Sequence, residues 1–176
     1  MGERLSAMAA RFGSAPKSVL AELNAPLLVW VSAPPPVQKL EGDLIWKTDP
    51  GRVMRKVGDD PIVFLLKKQP AANNAFALGI TVGRTGNNDI ELDDASVSRF
   101  HAWFQIDPQS AVWHICDAES SNGTWCNQQR LSPRRPAPLN DGTLVTIGHV
   151  DLTFMMPATF QPWMKRKIGE LAVSRL

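Results

Sequence analysis

From Ile62 onward the apolar residues come in short runs. These are Ile62–Leu66, Phe76–Val82, Ala102–Ile106, Ala111–Cys116, Thr124–Cys126, Thr143–Ile147 and Val150–Met155. Turn-forming residues separate them: Asn73-Asn74, Asp107-Pro108, Asn122-Gly123 and Asn140-Asp141-Gly142. Runs this short, at this spacing, are strands, because a helix would need a longer stretch with apolar residues every three or four positions. Many short strands joined by tight turns predict an all-β sandwich or barrel, with no helix between residues 62 and 156.

The ends of the chain read differently. Leu5, Met8, Ala9 and Phe12 fall at helical spacing, as do Val19, Leu20 and Leu23, with a break at Gly13-Ser14 and Pro16 near a second helix start. Leu27–Val31 reads as a strand, and Ala33–Val37 (APPPV) as a stiff break. Two further strands, Leu44–Trp46 and Val53–Val57, are expected around the turn Asp49-Pro50-Gly51, before a break at Asp59-Asp60-Pro61. Beyond Pro157, a helix is expected over Pro162–Leu176 with Pro162 in its first turn. It would pack Trp163, Ile168, Leu171 and Ala172 on its own domain and leave Lys165-Arg166-Lys167 in water. The expected division is therefore an N-terminal α/β extension over residues 1–60, a mainly β unit of short antiparallel strands over 61–157, and a helical tail over 158–176.

Composition narrows the function classes. The chain has 176 residues, 44% hydrophobic and 20% charged, which is a globular balance. A net charge of +2 is too small to indicate nucleic acid. Cys116 and Cys126 form no C-x-x-C motif, so neither a zinc site nor a disulfide framework is expected, and a reduced compartment fits. No segment is long and apolar enough to span a bilayer, and no apolar leader opens the chain. Met1–Ser6 matches the loose myristoylation pattern by chance. The abundance of Ala, Pro and Trp without Tyr leans bacterial, and a cytoplasmic location is expected.

The unusual polar residues sit in three loops: Gly83-Arg84 with Asn87–Ile90, Val97–His101, and Asp117–Thr124. Loops at one end of a sandwich cluster in space. Arg84, Ser98, Arg99, Ser121 and Asn122 would then surround one spot. Two guanidinium groups, two hydroxyls, an amide and backbone N–H groups all donate hydrogen bonds, which suits a phosphate.

Gly83-Arg84, Asn88-Asp89-Ile90, Ser98-Arg99-Phe100-His101, Ser120–Thr124, Asp141-Gly142 and Gly148 occur in that order. This series resembles the forkhead-associated (FHA) domain, a β-sandwich that recognises phosphothreonine peptides, over about Ile62 to Met156. The resemblance implies that Arg84 and Ser98 are the principal phosphate ligands and that Ser121 and Arg99 also reach the phosphate or peptide. It implies that Asn122 holds the peptide main chain and that Gly83, His101 and Gly123 support the site. The implied partner is a phosphothreonine-containing protein or peptide from a Ser/Thr kinase pathway, the kinase or its substrate, with no cofactor and no metal. One position departs from the family: Gln128 follows Asn127 where glycine is usual, which predicts a longer or differently shaped hairpin.

Other chemistries fit less well. Ser98, His101 and Asp117 could supply a nucleophile, a base and an orienter, but no nucleophile elbow is present. Gly83-Arg84-Thr85-Gly86 lacks the Gly-Lys-Ser/Thr of a P-loop, and a KH-type nucleic-acid loop would need helices on both sides. A binding module, not an enzyme, is the expectation. The alternative is a scaffold that uses the sandwich and the N-terminal extension without phosphate. Self-binding by a phosphorylated N-terminal tail would have to use Thr48, the only threonine before residue 62.

Overall fold

The structure, a computed structural model, describes residues 2–32, 60–69, 76, 77 and 79–173, the last three as backbone only. The strands expected at Leu44–Trp46 and Val53–Val57, the break at Ala33–Val37 and the turn at Asn73-Asn74 lie outside the described residues.

The chain opens with β1 (Glu3–Arg4), α1 (Leu5–Ser14), α2 (Pro16–Glu22), β2 (Leu27–Trp30) and β3 (Ile62–Leu65). It continues through β4 (Ile80–Gly83), β5 (Ile90–Glu91), β6 (Ala102–Ile106), β7 (Trp113–Asp117) and β8 (Thr124–Cys126). Then come β9 (Gln129–Arg130), β10 (Ala137–Leu139), β11 (Leu144–Ile147), β12 (Val150–Met155) and α3 (Pro157–Val173). The strands form a large sheet in the order β1-β3-β2-β12-β11-β8-β9 and a smaller one in the order β10-β7-β6-β4-β5. Among the described residues all pairings are antiparallel but one: β5 lies parallel to β4, joined by the loop that begins at Arg84.

Period-two alternation distributes the large sheet's side chains between two cores. Leu28, Trp30, Phe64, Val150, Leu152 and Phe154 point at the small sheet, where they meet Val82, Ile90, Phe104 and Ile115. Leu27, Val29 and Val63 point the other way, onto Leu5, Met8, Val19, Phe160 and Met164 of the helices. A strand buried on both faces reads as continuously apolar, and β2, Leu-Leu-Val-Trp, is buried at all four positions. Although it lies on the N-terminal side of the expected boundary at residue 60, β2 pairs with both β12 and β3.

A distant residue holds the start of α1. Its N-cap, Arg4, makes no side-chain cap; instead Asp60 accepts from the Ser6 N–H at 2.9 Å and the Ser6 hydroxyl at 2.7 Å. A carboxylate there satisfies an orphan donor and favours the positive end of the helix dipole.

Three local expectations are corrected. First, α3 starts at Pro157, so Pro162 lies inside the helix and not in its first turn. Met156 opens the helix by accepting from Phe160, and exposed Pro162 removes one amide donor from the following turn. Second, the β8–β9 hairpin is tight: Cys126 pairs with Gln129 across the two residues Asn127 and Gln128, at φ 47° and 69°. This is the all-positive backbone of a type I′ turn, held without glycine. Asn127 is pinned to β11, its N–H donating to Leu144 O at 2.8 Å and its Oδ1 accepting from Leu144 N–H at 2.9 Å. Third, the apolar run beginning at Phe76 becomes strand only at Ile80. Both cysteines are free, and burial pushes the Cys126 thiol up to about 11.

Candidate functional site

An open groove of about 800 Å³ lies at one end of the sandwich, between the loops after β4, before β6 and after β7. Arg84, Ser98, Arg99, Ser121 and Asn122 all line it, so the three polar loops do converge on one place. Thr85, Asn87, Ala95, Ser96, Val97, Phe100 and Glu119 complete the wall.

Backbone contacts lock the first two loops together. Arg84 N–H donates to Ser98 O at 2.9 Å, and Asn88 Nδ2 donates to Arg99 O at 2.7 Å. Gly83 makes this approach possible, because a Cβ there would lie 2.2 Å from Arg99 O. Asp89 anchors the loop's far side by accepting from the N–H groups of Gln69 and Thr81 and from Lys68 Nζ. Burial works against its charge, but these donors outweigh that and hold the carboxyl below its usual range.

His101 joins the second loop to the third. It is fully buried. Its Nδ1 accepts from Ser98 N–H at 3.0 Å, so Nε2 carries the proton and donates to Gly123 O at 2.9 Å. Burial lowers its pKa, with Gly123 O and the Asp117 charge opposing, and the neutral ring fits both contacts. Gly123 takes φ +85°, which turns its carbonyl towards the ring. Asp117 shapes the third loop from beneath, accepting from Ser120 N–H, Ser120 Oγ and Thr124 Oγ1 at 3.0, 2.6 and 2.6 Å. Both imidazole nitrogens are thus used, neither by the Ser98 hydroxyl or the Asp117 carboxylate. No nucleophile–base–orienter relay exists among these three residues. The strands flanking Gly83–Gly86 likewise exclude the helix-loop-helix of a KH site.

The groove floor carries a hydroxyl pair. Ser98 Oγ accepts from Ser121 N–H at 3.1 Å and lies 3.5 Å from Ser121 Oγ. Asn122 Nδ2 is already committed to Ser96 O at 2.7 Å, which leaves its Oδ1 to accept from a ligand. Arg84 and Arg99 are exposed, and among the described residues neither guanidinium has a carboxylate partner. Two cations and two hydroxyls lining one groove have the chemistry to take an anion.

Sequence reasoning missed three contributors. Asn88 was legible only as part of a motif, yet its amide is the strut between loops. Phe100, 40% exposed, stands at the rim and packs on Phe76 and Trp103 with ring centroids 5.4 and 6.1 Å away. Glu119 places a carboxylate on the wall of an otherwise cationic groove and pairs with Arg134 at 3.0 Å. Glu119 and Arg134 both adopt left-handed backbone, φ 59° and 60°. That conformation costs a non-glycine residue about 1–2 kcal/mol, whereas an exposed ion pair contributes about 0–1 kcal/mol. The pair does not offset the strain of holding it.

Comparison with known proteins follows the same residues. Residues 80–148 match the family model described as the FHA domain. The oxoglutarate dehydrogenase inhibitor of Corynebacterium efficiens is 35% identical over 96 residues, covering 53% of this chain and 64% of that protein. The glycogen accumulation regulator GarA of Mycobacterium tuberculosis is 34% identical over 96 residues, covering 53% of this chain and 56% of its own length. The chain therefore spans somewhat under two thirds of the curated relatives it matches. Among solved structures, Mycobacterium tuberculosis EmbR in complex with a low-affinity phosphopeptide aligns with 46% of this chain and 20% of that one, at 35% identity and a TM-score of 0.40.

Proposed function

We propose that this chain, whose residues 80–148 match the forkhead-associated domain, is a phosphothreonine-dependent interaction module, docking partners phosphorylated by a Ser/Thr kinase. The observation that carries this reading is the pair of guanidinium groups, Arg84 and Arg99, without a carboxylate partner among the described residues, on the same groove as the Ser98 and Ser121 hydroxyls. A phosphothreonine brings nearly two negative charges and three acceptor oxygens, enough to engage all four groups. Arg84 and Ser98 are its principal ligands in this reading, with Arg99 and Ser121 beside them. The free Oδ1 of Asn122 takes a peptide N–H next to the phosphorylated residue. Ala95, exposed on the same wall, offers apolar surface to the γ-methyl that distinguishes threonine from serine. One methyl accounts for only about 1 kcal/mol of discrimination by area, so the stiff β-branched rotamer must contribute as well.

The partner is a kinase or its substrate in the cytoplasm, and the groove binds rather than catalyses. Residues 61–157 carry the recognition groove, while β2 from residues 1–60 belongs to the large sheet and the helices at both ends of the chain cover that sheet's second face. The relatives named as an inhibitor and a regulator suit a protein that acts by docking. Among the described residues no helix is long and apolar enough to cross a membrane, and no cluster of metal-ligating side chains occurs.

The test is a titration of fluorescein-labelled phosphothreonine peptides into the wild type and Arg84→Ala. Each charge-assisted hydrogen bond contributes about 1.5–3 kcal/mol, so the variant should bind at least about tenfold more weakly. An aspartate in place of the phosphothreonine should not bind, having one charge and two oxygens. Undiminished partner binding by a folded Arg84→Ala protein would instead favour a phosphate-independent scaffold.

A further inference from the structure

We propose that Glu119 selects a lysine or arginine flanking the phosphothreonine of the target peptide; this rests on the phosphothreonine reading of the same groove. Glu119 is the one carboxylate among the residues that line the groove, which otherwise presents Arg84 and Arg99. A carboxylate there opposes the phosphate by charge alone, so a role in holding the phosphate is ruled out. Asp117 holds both left-handed backbones, its carboxylate accepting from Ser120 N–H at 3.0 Å and its carbonyl from Arg134 N–H at 2.9 Å, and so presents an exposed Glu119–Arg134 pair at the groove.

The chemistry of a ligand for this pair follows. The Glu119 carboxylate is 59% exposed and Arg134 70% exposed, so the pair opens to solvent and exchanges its cation readily. In the empty groove Arg134 screens Glu119, and the field reaching an incoming phosphate stays positive. When a peptide docks, a basic side chain beside its phosphothreonine displaces Arg134 and takes up the carboxylate. A peptide with an acidic residue at that place meets Glu119 as a like charge and is rejected. Charge at the groove wall therefore sorts phosphothreonine sites by their neighbours, while Arg84 and the hydroxyls bind the phosphate common to all.

The experiment is a phosphothreonine peptide library with each flanking position varied among Lys, Ala and Glu, titrated into the full chain and into Glu119→Gln and Glu119→Gly. Glycine suits φ 59° and keeps the loop, so loss of folding does not confuse the result. The wild type should prefer Lys over Ala at one flanking position by about two- to fivefold, the range of an exposed pair. Both variants should lose that preference while still requiring the phosphate. An identical preference profile in wild type and variants, with phosphate-dependent binding intact, overturns the role of Glu119 and leaves the phosphothreonine reading standing. Absence of phosphate-dependent binding in the wild type overturns both.

Discussion

His101 shows how much of the groove depends on one side chain. Its ring bonds the Ser98 amide on one side and the Gly123 carbonyl on the other, and only the neutral Nε2–H form can make both contacts. Burial lowers its pKa below the ordinary 6.5. The unfolded chain therefore takes up a proton near 6.5 while the folded protein does not. The stability this residue contributes is complete above pH 6.5 and is lost as pH falls from there through the folded pKa, at up to about 1.4 kcal/mol per pH unit. Urea unfolding at pH 7.5, 6.5 and 5.5 should show little change in the first step and a clear fall in the second. An imidazole resonance of His101 titrating at or above 6.5 would contradict this. At this scale the sequence was partly legible. Arg84, Ser98, Ser121 and Asn122 could be grouped because each sits in a loop between alternating strands. Glu119 could not, since only its left-handed backbone and its place on the wall distinguish it from any surface glutamate.

The elements followed their local patterns wherever local forces decided. The break expected at Gly13-Ser14 comes later: α1 runs through both residues and ends at Ala15, because Pro16 cannot continue it but is well placed to begin α2. The hairpin at Asn127-Gln128 went against its local signal. The absence of glycine argued for a wider loop, but the two hydrogen bonds between Asn127 and Leu144 hold the tight turn in place. Gln128 then carries φ 69° at a cost. Gln128→Gly should relieve it and raise stability by about 0.5–1 kcal/mol, after the extra entropy of an unfolded glycine is subtracted. Thermal unfolding checks this, and a lowered midpoint would mean that the glutamine is not strained. Pro162 was misplaced for a related reason. The helix begins earlier than the proline suggests because burial of Phe160 and Met164 against the sheet outweighs the one lost amide bond.

Across the whole molecule, the class of fold was readable and the topology was not. Short apolar runs announce strands, but which strand lies beside which depends on contacts between residues far apart in sequence. β2 is the clear case: its four apolar residues fit a strand anywhere, and only the pairing with β12 and β3 shows that it lies within the large sheet. That sheet is filled on both faces and backs the small sheet, whose strands β4, β5 and β7 lead into the three loops that line the groove. β5 and β10 were missed because neither carries a continuous apolar run: β5 is two residues long and β10 contains Pro138 at an edge of the small sheet. Three loops bring Arg84, Ser98, Arg99 and Ser121 to one groove on a rigid frame, the arrangement proposed here to take a phosphate. The most direct test is isothermal titration of a degenerate phosphothreonine library, before and after phosphatase treatment, into the intact chain at one salt concentration. Saturable binding before treatment that disappears after it is the predicted result. Equal binding before and after, or none to any phosphopeptide by the folded protein, would contradict the account.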